Sequence, residues 1–312
     1  MIEVEGLCKY YGGRRAIENV SFSINKGEII GLLGLNGAGK STVLKIQGCF
    51  LMPSGGRAKV AGFSVEDSPD EIRRQIGYLP DTPPLYNEMT VWDYLTYVGR
   101  IKDVPEESLH RKVDRSIQKT NLGRVVDFRL GELSHGFRQR VSIAQALVHE
   151  PPVLILDEPI NGLDPVQIVE MRDLILSLRG DHTVILSSHI LSEITRTCDR
   201  ILIIDQGRLV AEGNEDDLET RLVKGMRLVV EVEREGPELQ SALKAVNGVT
   251  KVERARAGGS NRYNVDCETD LRSAVAQAVV KSGCGLIGLG REEAGLEGLF
   301  MKLVKGSARD MR

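Results

Sequence analysis

The octet Gly34-Leu35-Asn36-Gly37-Ala38-Gly39-Lys40-Ser41 fits the pattern G-x-x-x-x-G-K-[ST]. It follows the apolar run EIIGLLGL (28–35) and leads into the helical TVLKIQG (42–48), so a strand ends and a helix begins around it. Glycines let such a loop bend until its backbone N–H groups point inward at an anion. The helix start adds partial positive charge at the same place. Lys40 can then reach β- and γ-phosphates, and the Ser41 hydroxyl can ligate Mg²⁺. The ligand this predicts is a nucleoside triphosphate.

Two further stretches gain meaning beside that loop. Val153-Leu154-Ile155-Leu156-Asp157-Glu158-Pro159 reads as a buried strand delivering two acids at its C-terminal end, where ligands sit in open α/β sheets. Asp157 suits the outer coordination of Mg²⁺, and Glu158 can act as general base on an attacking water. Alone, a strand ending in solvated acids is common. Leu133-Ser134-His135-Gly136-Phe137-Arg138-Gln139-Arg140 opens a helix with Ser134 as N-cap. It offers either a second anion site or an ordinary cap.

Around these motifs, TVILSS (183–188) and RILIID (200–205) read as buried strands, giving an α/β domain on a largely parallel sheet. Helical periodicity dominates VWDYLTYVGRIK (91–102) and SLHRKVDRSIQKT (108–120), which predicts a helical subdomain at about residues 85–150. A short helix from Asn214-Glu215-Asp216-Asp217 closes a first domain of residues 1–220. Residues 225–312 then read as β-α-β-β-α-β: strands at RLVVEVE, VTKVERA, RYNVDCE and CGLIGLG, helices at PELQSALKAV and DLRSAVAQAVVKS. A last helix is expected at EGLFMKLVK (297–305), and a plain turn at Arg256–Ser260. The expectation is a small α+β, ferredoxin-like accessory domain.

Composition bounds the function. The 312 residues are 41% hydrophobic and 27% charged, with 33 Gly and 11 Pro, which excludes a disordered or fibrous chain and suits two unequal domains. No run approaches the roughly 20 apolar residues of a membrane-spanning helix. The opening MIEVEGLCKYYGG carries acids and no apolar core, so no secretory signal is expected. Five scattered cysteines without a CxxC pair predict reduced thiols, with neither a disulfide framework nor a zinc site. A net charge of −3 argues against a general nucleic-acid binder. Residues 221–312 hold 16 Lys+Arg against 12 Asp+Glu, so the excess of acid lies in the first domain.

In chain order stand the phosphate loop, the LSxG helix start, the strand ending in Asp-Glu, then Asn161-Gly162-Leu163-Asp164, then His189 after TVILSS. With these motifs residues 1–220 resemble the ATP-binding cassette family, the nucleotide-binding subunits of ABC transporters. The resemblance implies a parallel-sheet core with an antiparallel β subdomain and a helical subdomain. It implies that Gly34, Asn36, Gly37, Ala38, Gly39, Lys40, Ser41 and Thr42 form the Walker A cradle, and that Asp157 and Glu158 form Walker B. Tyr11 would stack on adenine, although Tyr10 is adjacent and either could simply pack. Ser134 and Gly136 would contact the γ-phosphate held by a second subunit, Asp164 would lie at the dimer seam, and His189 would sense γ-phosphate. Catalysis would rest on Glu158, His189 and Lys40.

The chain departs from the family pattern at Leu35, at His135 and Phe137 in the signature, and at Asp81 in IGYLPDTPPLY (76–86), where glutamine is usual. An acid at 81 adds negative charge near the phosphates and could join Ser41 and Asp157 around Mg²⁺, so altered coupling without loss of activity is expected. The implied function is an ATPase subunit using ATP and Mg²⁺ at the cytoplasmic face of the plasma (inner) membrane. It would pair with a second copy or a paralogue and drive separate transmembrane permease subunits, with export favoured by likeness to the ABC-2-type and gliding-motility-like subgroup. A non-transport cassette ATPase acting on ribosomes or DNA is the alternative, but neither a second cassette nor a long coiled-coil insertion is present. The accessory domain would regulate the ATPase or stabilise its dimer.

Overall fold

The computed structural model describes residues 1–222, 226–234, 236, 238–255 and 261–291. The helix expected at 297–305 and the turn at 256–260 lie outside these. The chain forms two compact units, Met1–Glu215 and Asp216–Arg312.

The first unit begins with a hairpin, β1 (Ile2–Tyr11) and β2 (Arg14–Ile24), which turns through Gly12-Gly13 so that Tyr11 pairs with Arg14 at its tip. Strand β3 (Ile29–Leu33) is buried at every position, as expected of a strand covered on both faces. The glycine-rich loop connects it to α1 (Lys40–Gln47). Strands β4 (Gly55–Val60) and β5 (Phe63–Ser64) complete an antiparallel sheet of order β2-β1-β4-β5. After α2 (Pro69–Gln75) and β6 (Ile76–Leu79), the chain makes α3 (Val91–Ile101), α4 (Glu106–Lys119) and α5 (His135–Leu147). These three helices share a core of their own around Leu95, Leu109, Val113, Val141 and Ala144.

The chain then returns as β7 (Val153–Leu156), α6 (Pro165–Ser177), β8 (Thr183–Ser188), α7 (Leu191–Thr197), β9 (Arg200–Asp205) and β10 (Arg208–Gly213). The main sheet has the order β10-β9-β3-β8-β7-β6, with all pairs parallel except the edge strand β10. Its register pairs Leu33 with Ser188, and Leu156 with both Leu186 and Leu79. Strands β3, β8, β7 and β6 therefore end at one edge, and the glycine loop, Asp157-Glu158, Asp81 and His189 all leave the sheet there.

Helix α8 (Glu215–Leu222) leads into the second unit, which runs β11 (Met226–Val232), α9 (Leu239–Lys244), β12 (Val249–Arg254), β13 (Arg262–Cys267), α10 (Arg272–Lys281) and β14 (Leu286–Arg291). Its sheet, β12-β13-β11-β14, is antiparallel throughout. Alternate residues Leu228, Val230 and Val232 meet Leu239 and Leu243 of α9 and Val275 and Val279 of α10 in one core. No helix among the described residues is long and apolar enough to cross a membrane.

Candidate active site

Gly39 sits at φ +111°, and a Cβ there would lie 2.8 Å from Ile17 Cγ2 and 2.9 Å from the Ala16 carbonyl oxygen. Only glycine fits the turn that swings the loop into α1. No side chain caps the start of α1, which leaves its first N–H groups available to an anion. Lys40, in that first turn, is buried, and its Nζ donates to the Gly34 carbonyl at 2.7 Å. That bond ties the side chain across the loop it belongs to.

Asp157 leaves β7 at 1% exposure, with its N–H donating to the Leu79 carbonyl at 2.8 Å. Its Oδ1 accepts from Ser187 Oγ at 2.7 Å and from Ser41 Oγ at 3.2 Å. A hydroxyl and one carboxylate beside a phosphate cradle form the hard-oxygen donor set that Mg²⁺ uses while keeping phosphate and water ligands. The residues therefore fit the ion. Among the described residues no group of three His, Cys, Asp or Glu forms a cage.

Glu158 adopts φ +50°, a left-handed backbone that turns its side chain away from the strand direction. Its N–H donates to Ser187 Oγ at 2.8 Å. One carboxylate oxygen lies 3.1 Å from Lys40 Nζ and the other 3.0 Å from His189 Nδ1. Behind the histidine, Ser188 Oγ donates to Glu193 Oε2 at 2.9 Å. Burial raises the Glu193 carboxyl above the usual range, against the lowering pull of the Ser188 hydroxyl and His189. The motif reading did not single out this third acid.

A cavity of about 740 Å³ opens over these groups, lined by Tyr11, Asn36, Gly37, Gly39, Lys40, Ser41, Thr42, Asp81, Glu158 and His189. Tyr10 is not on its wall, while Arg14 and Arg15 are, unforeseen from the motifs, as is Asn161, which a motif contained without a role at this site. Lys9 Nζ stands 5.6 Å from the centroid of the Tyr11 ring. Gly34 and Ala38 shape the loop from behind: Gly34 through its carbonyl to Lys40, Ala38 through its carbonyl to the Gly207 N–H at 2.8 Å.

Ser134, Gly136 and Asp164 do not line this cavity. Ser134 Oγ accepts the Phe137 N–H at 3.5 Å and caps α5. Asp164 accepts from Val166 and Gln167 at 3.0 and 2.9 Å and caps α6. The two helix starts pack on each other. A Cβ on Gly136 would come within 2.6 Å of the Gln167 side chain, and His135 Nε2 lies 3.2 Å from the Asn161 carbonyl. Gln139, one turn further along α5, donates to the Pro159 carbonyl at 2.8 Å. The signature helix is thus fastened to the segment that follows Glu158.

A phosphate loop and an Asp–Glu pair at the strand ends of a parallel sheet, with a helical subdomain bonded to the segment beyond, define a nucleoside triphosphatase of the cassette type. Residues 17–161 match the ABC transporter family. The chain is 37% identical over 218 residues to the uncharacterized ABC transporter ATP-binding protein YxlF of Bacillus subtilis, covering 70% of this chain and 72% of that one. It is 31% identical over 317 residues to the Nod factor export ATP-binding protein I of Ralstonia nicotianae, covering 99% of this chain and 95% of its relative. Among solved structures, the dimeric cassette MJ0796 in a post-hydrolysis state with ADP and Pi matches at TM-score 0.62 and 26% identity, over 69% of this chain and 98% of that one. The chain belongs to the ATP-binding proteins of ABC transporters. It is an ATP-hydrolysing subunit of such a transporter.

Proposed function

We propose that two copies of this chain, or the chain and a paralogue, close around two ATP molecules and that closure and hydrolysis drive export through separate membrane subunits at the cytoplasmic face of the plasma membrane. The observation that carries export is the alignment with a Nod factor exporter subunit along 99% of the chain, the second unit included. The MJ0796 cassette, solved as a dimer, supports the pairing.

In this reading the loop N–H groups and Lys40 hold the β- and γ-phosphates, and Tyr11 offers the ring face away from Lys9 to adenine. Ser41 and Asp157, with Asp81 at the cavity wall, would hold Mg²⁺, which when bound would supply charge neutralisation on the phosphates. Glu158 takes the proton of the attacking water, and His189, bonded to it, senses the γ-phosphate. Ser134 and Gly136 reach the nucleotide of the other subunit, which agrees with their lying off this chain's own cavity wall. Asp164 lies at the seam. The strand order β12-β13-β11-β14 with β-α-β-β-α-β connectivity supports a ferredoxin-like accessory domain, which in this reading steadies or regulates the dimer.

Affinity capture of the full chain carrying Glu158→Gln, from detergent-solubilised membranes with Mg-ATP, tests the reading. Recovery of a multi-span membrane protein is expected. Recovery with ribosomes or DNA, and not with membranes, overturns it in favour of a non-transport cassette ATPase.

A further inference from the structure

We infer that Arg14 is a second cationic anchor for the nucleotide, gripping the α-phosphate from the adenine end of the cavity. The inference rests on the cavity being the ATP site with Tyr11 against the base. Tyr11 and Arg14 face each other across the last rung of the β1–β2 hairpin. Directly opposed residues in an antiparallel pair project to the same face of the sheet, and both line the cavity that contains the phosphate loop. The two residues between them, Gly12 and Gly13, make a minimal turn, so the position of Arg14 is fixed relative to the ring.

Its neighbour is committed elsewhere. Arg15 pairs with Glu18 at 2.7 Å, and Glu18 also holds Arg208 at 2.6 Å. Arg14 has no ion-pair partner among the described residues. Lys40 is anchored to the Gly34 carbonyl and Glu158 at the far end of the loop, leaving the base-proximal phosphate without a side-chain cation of its own. A guanidinium presents a planar fork that matches two phosphate oxygens, which an ammonium cannot do. A long side chain beside the adenine ring reaches the ribose and α-phosphate, and the γ-phosphate lies beyond it.

Titration calorimetry of the full chain with ATP and with ADP tests this, using wild type, Arg14→Ala, Arg14→Gln and Arg14→Lys. Arg14→Ala is expected to weaken ATP and ADP by the same factor, about tenfold or about 1.4 kcal/mol, because the α-phosphate is common to both. The lysine variant should recover part of that loss and the glutamine variant none. Affinity should also fall less steeply with added salt in Arg14→Ala than in wild type, a change that a purely structural role would not produce. Equal affinity of wild type and Arg14→Ala overturns the inference, as does weakening of ATP alone, which would put the guanidinium on the γ-phosphate. If Arg14→Ala melts early, the comparison of lysine with glutamine decides, and equal binding by those two overturns the inference. A wild-type chain that binds neither nucleotide removes the site itself.

Discussion

Lys40 and Glu158 form an ion pair at 3.1 Å, with side-chain exposures of 6% and 11%. In the proposed mechanism, the group that would hold the phosphates is therefore paired with the group that would activate water. A triphosphate competes with Glu158 for the same ammonium, so nucleotide binding and release of the carboxylate are linked. The second carboxylate oxygen lies 3.0 Å from His189 Nδ1, a bond that would keep Glu158 oriented if Lys40 turned to the phosphates.

Glu158→Gln should therefore separate binding from turnover. The amide keeps the side chain's size but accepts no proton, so turnover is expected to fall by about 10²–10⁴-fold, the usual general-base contribution. ATP affinity should be unchanged or tighter, because Lys40 loses its competing anion. Size-exclusion chromatography with and without Mg-ATP, beside a turnover assay, reads both effects, and a trapped dimer is the expected species. Near-normal turnover would mean that another group activates water, with His189 the first to test.

Ser134→Arg should spare ATP binding by the single chain and block hydrolysis. Ser134 is exposed and lies off the chain's own cavity wall, so added bulk there would leave the chain's own nucleotide site clear and obstruct a second subunit in the proposed dimer. Loss of the N-cap costs roughly 1 kcal/mol, which a thermal melt would register as a small shift. Normal ATPase activity in this variant would remove the two-subunit sandwich.

Asp81→Gln should leave ATPase activity within about an order of magnitude, a barrier change of about 1.4 kcal/mol or less. Asp81 is exposed at the cavity wall, whereas Asp157 is buried and bonded to Ser41 and Ser187. The proposed mechanism therefore gives the metal to the buried acid and leaves the exposed one to tune coupling. A collapse by several orders would transfer metal binding or water activation to Asp81.

What the sequence made legible follows from physics that acts locally. Strands β3, β7, β8 and β9 are buried on both faces and so stand out as unbroken apolar runs. The β1–β2 hairpin escaped that reading because it is half exposed and its register shifts near Leu7 and Lys9, which breaks the alternation. β6 has only four residues and includes Gly77 and Tyr78, too few to show a period. The phosphate loop was legible because its chemistry is contiguous. The bonds that complete the site were not: Ser187 to Asp157, Gln139 to the Pro159 carbonyl and Ser188 to Glu193 join groups that no spacing rule pairs. Arg14 carries no motif; its significance comes from the strand pairing that sets it opposite Tyr11.

Acid should destabilise the first unit through His149. Its Nε2 lies 3.0 Å from the Ile76 carbonyl, so the neutral ring carries its proton there, and Nδ1 is buried without a hydrogen-bond partner among the described residues. Lys102 Nζ donates to the same Ile76 carbonyl at 3.2 Å and to the Arg73 carbonyl at 2.8 Å. A second proton on His149 would be buried without an acceptor and close to an ammonium. Burial first, and Lys102 next, push the His149 pKa down to about 4. Burial lowers His182 as well. The unfolded chain takes up a proton at each histidine near pH 6.5, while the folded unit keeps His149 neutral until about pH 4. The unfolded state thus binds more protons across that window. The stability contributed by the neutral ring is complete above pH 6.5 and lost as pH falls toward 4, on the order of 2–3 kcal/mol. His149→Gln keeps an N–H for the Ile76 carbonyl and removes the titration. Melting curves at pH 7, 6, 5 and 4.5 should show the wild type losing Tm faster than the variant, any deficit of the variant at pH 7 shrinking as acid is added. Parallel losses in the two proteins would mean that other groups govern the acid transition.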